Sequence, residues 1–463
     1  MSFDPYRHIA RNVVLPLWGI REKNPYLKYI PEHLRYEKLP IEQLRELQFE
    51  RLSNILHHAY ENTAYYKSVF DSLGMRPSDI KCFEDIQVLP VLTKDIIRAR
   101  LEEFVPRNVP QHNLLRTQTG GSTGVPMTFY RDRRCTSLRN AATACFNRWV
   151  GYQPGDKRAL LWGAAQDLYS AVGLKGKVRS ALIDRAIVLN VRDLSLETAI
   201  SFARAIDEFK PVMLSSYPIA LDTFAKLLKA NGIKPPTMPK VITTADLLRP
   251  EQRQFIQEFL SCEIFDRYGS REMGEIAMEC GEHNGFHLDL QSHFVEIVKE
   301  GKQVENGELG QIAVTDLVNY GMPFIRYLHG DLAMMSNRKC PCGNSSPMIE
   351  SIQGRLLDIV VTPAGRIVLG PMFVIWFTCL AEEVRQLQFI QENTNTIRVR
   401  VAGNDSDKVK NLITDIIKEK VSPDMVVKFD MVESIPSEPS GKYRYIVSKL
   451  SQDEIDRAFN SNS

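Results

Sequence analysis

Thr117-Gln118-Thr119-Gly120-Gly121-Ser122-Thr123-Gly124-Val125-Pro126 is the stretch on which the reading of this chain turns. Its glycines let the backbone approach an anion closely, and the amides and Ser/Thr hydroxyls between them can hold phosphate oxygens. It lacks the Lys of a nucleotide-binding P-loop, so it is a different kind of phosphate cradle or a polar turn between strands.

Downstream of this loop, short β-rich runs alternate with helical patterns. Ala159–Leu161, Ala186–Leu189, Val212–Leu214 and Val241–Thr243 read as strands. Leu196–Phe209, with Ser195 as N-cap, and Leu221–Ala230 read as the helices between them. That alternation predicts an α/β core. Residues 293–336 are more β-like, with strands expected at Phe294–Val298, Gly310–Thr315 and Ala333–Met335. Upstream, Leu44, Leu47, Leu52, Ile55, Leu56 and Ala59 fall at helical spacing, so residues 1–110 form a largely helical lead-in. A smaller α+β unit begins near Gly354, with a strand at Thr396–Val401, a helix at Asp407–Lys420 and a strand at Met425–Val432. Two domains follow, residues 1–353 and 354–463.

Composition bounds the function. The chain has 463 residues, 44% hydrophobic and 25% charged, and its 58 basic and 56 acidic residues leave a formal net charge of +2. This near balance argues against a nucleic-acid or membrane-surface partner. No apolar run approaches the ~20 residues that cross a bilayer. The stretch Val13–Trp18 is too short, and lacks the cleavage site, for a signal peptide. A cytoplasmic protein without membrane insertion is the expectation, with a homodimer the default oligomer. Of eight cysteines, Cys82, Cys135, Cys145, Cys262 and Cys379 are scattered, whereas Cys280 lies near His283 and His287, and Cys340 and Cys342 form a close pair. Outside a secretory context, metal ligation is a better use of such a set than disulfides. Three cysteines and a histidine complete a closed, structural zinc site; Cys280, Cys340 and Cys342 with either His283 or His287 make such a set.

Further segments occur in a telling order: Thr243-Thr244-Ala245-Asp246, Tyr268-Gly269-Ser270-Arg271-Glu272, Gly307-Glu308-Leu309-Gly310, Thr315-Asp316-Leu317, Pro323 to Asp331, Ile435-Pro436 and Ser440-Gly441-Lys442. Together with Pro90-Val91-Leu92-Thr93-Lys94 and the glycine loop, they resemble the motifs of adenylate-forming enzymes of the phenylacetate–CoA ligase-like family. The spelling is closest to its capsular-polysaccharide-biosynthesis branch. The resemblance covers nearly the whole chain. It implies a large N-terminal α/β domain of adenylate-forming type and a small, mobile C-terminal α+β domain carrying a catalytic lysine.

The resemblance also implies a reaction: ATP and Mg²⁺ activate a carboxylic acid as its acyl-AMP, with release of pyrophosphate. The acyl group then passes to CoA or, in the alternative, to an amine such as an amino sugar of a surface polysaccharide. It implies nucleotide contacts at Thr119, Gly120, Gly121, Ser122, Thr123, Gly124, Ala245, Asp246, Tyr268, Gly269, Ser270, Asp331 and Arg355. Lys442 and Glu272 would be catalytic, Glu272 as a Mg²⁺ ligand, and the resemblance favours His287 over His283 as the zinc ligand beside Cys280, Cys340 and Cys342. The residue types suit that chemistry. Attack of a carboxylate on the α-phosphate builds negative charge on phosphoryl oxygens, which cations stabilise without a protein nucleophile. Lys442 offers a mobile point charge, and Asp331 can accept hydrogen bonds from two ribose hydroxyls.

Two features depart from the family pattern. After Gly354-Arg355 the hinge positions are Leu356 and Leu357, with the acid only at Asp358, and Thr362-Pro363-Ala364-Gly365-Arg366 differs from the usual CoA-ligase wording. Arg271 stands where many members have Thr. These differences bear on the acyl acceptor, not on adenylation. A non-catalytic nucleotide-binding descendant is a third reading, and the retention of Glu272, Asp331 and Lys442 weighs against it. Small and aromatic side chains at Ser215-Ser216-Tyr217-Pro218 and Thr243 to Ala245 suit a modest apolar or aryl acid, or else pack the core.

Overall fold

Val241-Ile242-Thr243-Thr244 is β-branched throughout and buried on both faces, the signature of a central strand in a parallel sheet. The structure, a computed structural model, describes residues 4–119, 127–163, 179–355, 359–369, 373, 376–377, 380, 383–403, 406–436, 444–451 and 454. The chain divides into two units: Met1–His329 with Ala333–Ser351, and Gly330–Leu332 with Ile352–Ser463.

In the first unit, β1 (Leu114–Gln118) and β2 (Thr128–Asp132) form an antiparallel hairpin with Gln118 opposite Thr128. Next come β3 (Arg158–Trp162), β4 (Ala186–Asn190), β5 (Met213–Ser216), β6 (Lys240–Thr244) and β7 (Ile264–Ser270). They pair in parallel in the order β7-β6-β5-β3-β4. Helices Leu196–Phe209, Pro218–Ala230 and Pro250–Leu260 make the crossovers. Ala199, Phe202 and Ile206, Leu221, Phe224 and Leu228, and Ile256 and Leu260 pack with Leu161, Leu214, Val241 and Ile264 into one apolar core.

The crossover helices begin where local chemistry dictates. Ser195 and Thr198 form a reciprocal capping box, with Thr198 N–H donating to Ser195 Oγ at 3.2 Å and Ser195 N–H to Thr198 Oγ1 at 2.8 Å. Pro218 sits in the first helical turn, where its missing N–H costs nothing.

The sheet turns antiparallel beyond β7. The further strands are β8 (Gly274–Glu279), β9 (Phe286–Leu288), β10 (His293–Lys299), β11 (Lys302–Gln303), β12 (Leu309–Asp316), β13 (Tyr327–Met335) and β14 (Met348–Arg355). Twelve strands then run β11-β10-β12-β13-β14-β9-β8-β7-β6-β5-β3-β4. β13 starts six residues before the Ala333 expected from apolar pattern, because polar His329 and Asp331 belong to it. Likewise β5 reaches Ser216 and its following helix starts at Pro218, ahead of Leu221.

Before β1 the described chain is helical, and its longest helix, Ile41–Asn62, buries Leu44, Leu52, Ile55, Leu56 and Ala59 while Leu47 is half-buried. Tyr66 ties this lead-in to the motif at 323–331: its hydroxyl donates to Pro323 O at 3.1 Å and accepts from Ile325 N–H at 3.0 Å.

In the second unit, β15 (Ile359–Val361) and β16 (Ile367–Leu369) form a hairpin closed by a turn with Gly365 at φ 80°. β17 (Val384–Asn393), β18 (Thr396–Gly403), β19 (Val426–Met431) and β20 (Ile446–Ser448) form a sheet of order β19-β18-β17-β20. Helix Asp407–Lys420 buries Val409, Ile413 and Ile417 against it, and Phe377 stacks on Phe389 with centroids 4.6 Å apart.

Candidate functional site

The glycine loop connects β1 to β2. Thr119 closes its base: Thr119 N–H donates to Met127 O and Met127 N–H to Thr119 Oγ1, each at 2.9 Å. Gly120, Gly121, Ser122, Thr123 and Gly124 lie outside the described residues, as do Lys442 and the hinge positions Leu356, Leu357 and Asp358. Arg355 ends β14.

The 268–272 segment is built by the turn between β7 and β8. At Gly269 the ladder shifts register, and a Cβ there would meet Gly274 O at 2.4 Å and Glu275 Cα at 3.1 Å, so only glycine fits. Ser270 Oγ accepts Met273 N–H at 3.1 Å and shapes the turn. The turn carries Glu272 into the interior, where it is 6% exposed. Glu272 is therefore a turn residue with a buried carboxylate and not a solvated acid at a helix start.

Three side chains surround that carboxylate. Tyr327 OH donates to Glu272 Oε1 at 3.0 Å, and Lys94 Nζ lies 3.8 Å from the same oxygen. His329 follows on β13, its ring 5.4 Å from that of Tyr327 and its Nδ1 3.4 Å from Tyr268 OH. Burial alone would push the Glu272 carboxyl up; Lys94, His329 and the Tyr327 hydroxyl outweigh it and hold the group below the ordinary carboxylate range.

Lys94 reaches this place through backbone pairing. Leu92 N–H donates to Arg326 O at 2.9 Å and Leu328 N–H to Leu92 O at 2.8 Å, so the 90–94 segment lies alongside the start of β13. Thr93 then caps the helix Lys94–Ala99, its Oγ1 accepting Ile96 N–H at 3.3 Å. Arg326 serves structure here. Fully buried, it pairs with Glu296 at 3.0 Å and donates to Leu89 O and Gly301 O, each at 2.6 Å. Asp331 lies on β13 two residues beyond His329 and is partly exposed.

The turn after β6 holds Ala245 at φ 70°, in the left-handed region, and Asp246 exposed, with Oδ1 accepting Leu247 N–H at 2.9 Å. Below it Thr243 OH donates to Asp266 Oδ1 at 2.7 Å, and Asp266 N–H donates to Glu279 Oε2 at 2.9 Å. Burial, with the Glu279 charge adding to it, pushes Asp266 up to about 7. Ser216 and Tyr217 are core residues, Tyr217 tilted against Trp162 at 4.6 Å. Of the two sequence readings of that segment, these two side chains follow core packing.

Cys280, His287, Cys340 and Cys342 come together with ligand atoms all within 4.8 Å of one another. Cys280 Sγ lies 3.5 Å from Cys340 Sγ, and Cys342 Sγ lies 3.3 Å from His287 Nε2. Backbone amides of Glu282 and Asn344 point at the Cys280 and Cys342 sulfurs at 3.5 and 3.4 Å. His287 Nδ1 faces Ser346 O at 3.3 Å, which leaves Nε2 for the cluster. His283 turns the other way, between Glu279 at 3.2 Å and Glu263 at 3.3 Å.

Sequence reasoning missed Lys94, Tyr327 and His329 as neighbours of Glu272. The first sat inside a recognised segment, directly after the Thr93 cap, and the others inside the 323–331 motif; only the pairing of the two segments joins them.

Residues 360–449 match the CapK C-terminal domain family. The chain is 24% identical to Protein CapK of Staphylococcus aureus over 458 residues, 96% of this chain and 99% of the relative. It is 28% identical to a phenylacetate-coenzyme A ligase of Pseudomonas putida over 336 residues, 70% of this chain and 73% of the ligase. A crystal structure of 2-hydroxyisobutyryl-CoA ligase, in its postadenylation state with R3-HIB-AMP, shares the fold with a TM-score of 0.70 at 19% identity, covering 92% of this chain and 94% of that one. Fold and matching relatives together define an AMP-forming acid ligase of the adenylate-forming type. Within that class the chain is similar to the phenylacetate–CoA ligases, and CapK aligns with it along nearly its whole length.

Proposed function

We propose that this chain joins a small carboxylic acid to ATP, forming acyl-AMP and pyrophosphate around the 268–272 turn and the start of β13, and then passes the acyl group to CoA. The buried Glu272 carboxylate carries this reading. A side chain kept ionised in the interior by Lys94, His329 and Tyr327 is organised for charge, and a polyphosphate is the substrate group that needs it.

One carboxylate beside a phosphate site suits Mg²⁺, which takes one or two carboxylates plus substrate oxygens. Bound there, the ion would neutralise charge on the phosphoryl oxygens. The protein's own groups do the rest. Lys94 sets the Glu272 charge and adds a cation at the same flank, while Tyr268 and the turn at Ala245 and Asp246 form the adenine and ribose side. Asp331 accepts from the ribose hydroxyls; Arg355 and residues 119–124 contact the nucleotide; Lys442 supplies the mobile charge for attack on the α-phosphate.

The Cys280, His287, Cys340 and Cys342 set fits a structural zinc. A tetrahedral ion with ~2.3 Å bonds to sulfur sets sulfur–sulfur edges of roughly 3.8 Å, near the 3.5 Å between Cys280 and Cys340. Three thiolates and one imidazole fill the shell, leaving no position for substrate.

A second reading of the acceptor has its own support. Phenylacetate–CoA ligases align over about 70% of this chain, whereas the C-terminal unit matches CapK. On this second reading the acceptor is an amine, for example on an amino sugar, in place of CoA. Measuring AMP release with an accepted acid, with and without CoA, separates the two: CoA-dependent turnover supports the first reading, and CoA-independent turnover that rises with an amine removes it.

A further inference from the structure

The described chain opens with a nearly continuous helical run, Tyr6–Ile9, Ala10–Val14 and Leu15–Arg21. One side buries Ala10, Leu15 and Gly19. The run is fixed to the fold by Arg7 on Asp156 at 2.5 Å, Arg11 on Gln153, and the Tyr6 hydroxyl donating to Leu182 O at 2.9 Å. The opposite side carries Ile9, Val13, Leu17 and Ile20 at 52%, 50%, 63% and 70% exposure. Their spacing of four, four and three residues makes one stripe. Four of the eleven large exposed apolar side chains among the described residues thus gather on one short helical run. Exposed apolar side chains are ordinary when scattered and informative when contiguous.

The charge along the run is mainly basic. Residues 4–23 hold Arg7, Arg11, Arg21 and Lys23 against Asp4 and Glu22, a net of +2 that equals the net charge of the entire chain, with Arg7 paired to Asp156 and Arg21 3.9 Å from Glu22. Arg11, Arg21 and Lys23 are exposed. Trp18 lies between two guanidinium groups, Arg21 at 4.9 Å and Arg179 at 5.4 Å from its ring. An apolar stripe flanked by Arg and Lys, with a Trp at its margin, is the pattern of a helix that lies in a bilayer interface. No described helix is long and apolar enough to cross one. A second copy of the chain would bring the same basic flank against itself, so the charge selects an anionic surface as occupant.

We propose that helix 6–21 is a peripheral membrane-binding element. It lays Ile9, Val13, Leu17 and Ile20 into the interface of an anionic lipid bilayer, holding the ligase at a membrane surface. The test is cosedimentation of the full chain with vesicles of phosphatidylcholine alone and of phosphatidylcholine with phosphatidylglycerol. The wild type is expected to pellet with the anionic vesicles at low salt, less at high salt, and not with neutral ones. Leu17→Glu combined with Ile20→Glu lowers that partitioning by roughly a hundredfold, and Arg21→Gln with Lys23→Gln weakens it and reduces its salt dependence. All four positions are exposed, so thermal midpoint and pyrophosphate exchange without vesicles stay at wild-type values and exclude misfolding. Failure of the wild type to bind anionic vesicles, or equal binding by the Leu17/Ile20 variant, overturns the proposal. A wild-type dimer in solution that this variant turns into a monomer reassigns the face to self-association.

Discussion

The Lys94 ammonium lies 3.8 Å from the Glu272 carboxylate, although one follows a helix cap in the N-terminal lead-in and the other ends a turn of the central sheet. Lys94 is the largest of the charges holding Glu272 ionised against burial. Removing it raises the Glu272 carboxyl, and an activity that needs the carboxylate is then lost at higher pH. Lys94→Met is expected to move the acid limb of the pH profile of pyrophosphate exchange upward. An unchanged limb would separate Lys94 from the role of Glu272.

Gly269 tests the turn that delivers Glu272. Alanine there drives a Cβ to 2.4 Å from Gly274 O, a backbone atom that cannot swing aside. Gly269→Ala is expected to cost about 2–3 kcal/mol of stability and to reduce exchange activity more than the loss of folded protein explains. Thermal melts beside exchange assays give both quantities. Wild-type behaviour in the two would mean that the turn relaxes freely.

The metal cluster predicts about one zinc per chain on elemental analysis. Cys340→Ser with Cys342→Ser, and His287→Ala alone, lose the zinc and lower the thermal midpoint, whereas His283→Ala keeps the metal, because His283 faces Glu279 and Glu263. Full zinc content in the double serine variant would contradict the ligand set.

Asp266 gives a pH signature of stability. Burial and the neighbouring Glu279 raise its carboxyl to about 7, so the folded chain keeps a proton that the unfolded chain releases from its ordinary value upward. Stability from this group therefore falls as pH rises from about 4 to 7 and changes no further above. Asp266→Asn removes the titration while leaving Thr243 an acceptor. Relative to the wild type it should gain about 3 kcal/mol between pH 5 and pH 8, read from denaturation at the two values. A difference independent of pH would mean that Asp266 is ionised throughout.

What could be read in the sequence followed from local chemistry. The helix Leu196–Phe209 has the bounds its pattern gave because the Ser195 cap fixes its start. β13 was read short because the side chains that build the site, His329 and Asp331, are polar and break the apolar pattern of a strand. Glu272 stood out by its motif, yet its partners depend on the pairing of Leu92 with the 326–328 backbone, a tertiary event with no local signal. His287 was favoured over His283 only by the family resemblance; the fold turns His283 toward two carboxylates. The near-zero net charge of the whole chain says nothing of how charge is distributed along it, so the membrane-binding proposal rests on the local charge of the 6–23 segment and on the exposure of its apolar stripe.

Adenylation is the central claim, and ATP–pyrophosphate exchange over a panel of small aliphatic and aryl carboxylic acids tests it most directly. The wild type is expected to exchange with at least one acid in the presence of Mg²⁺. Glu272→Gln and Lys442→Ala should each reduce the rate by about a hundredfold or more. Exchange with no acid in the panel, or variants that exchange like the wild type, would contradict it.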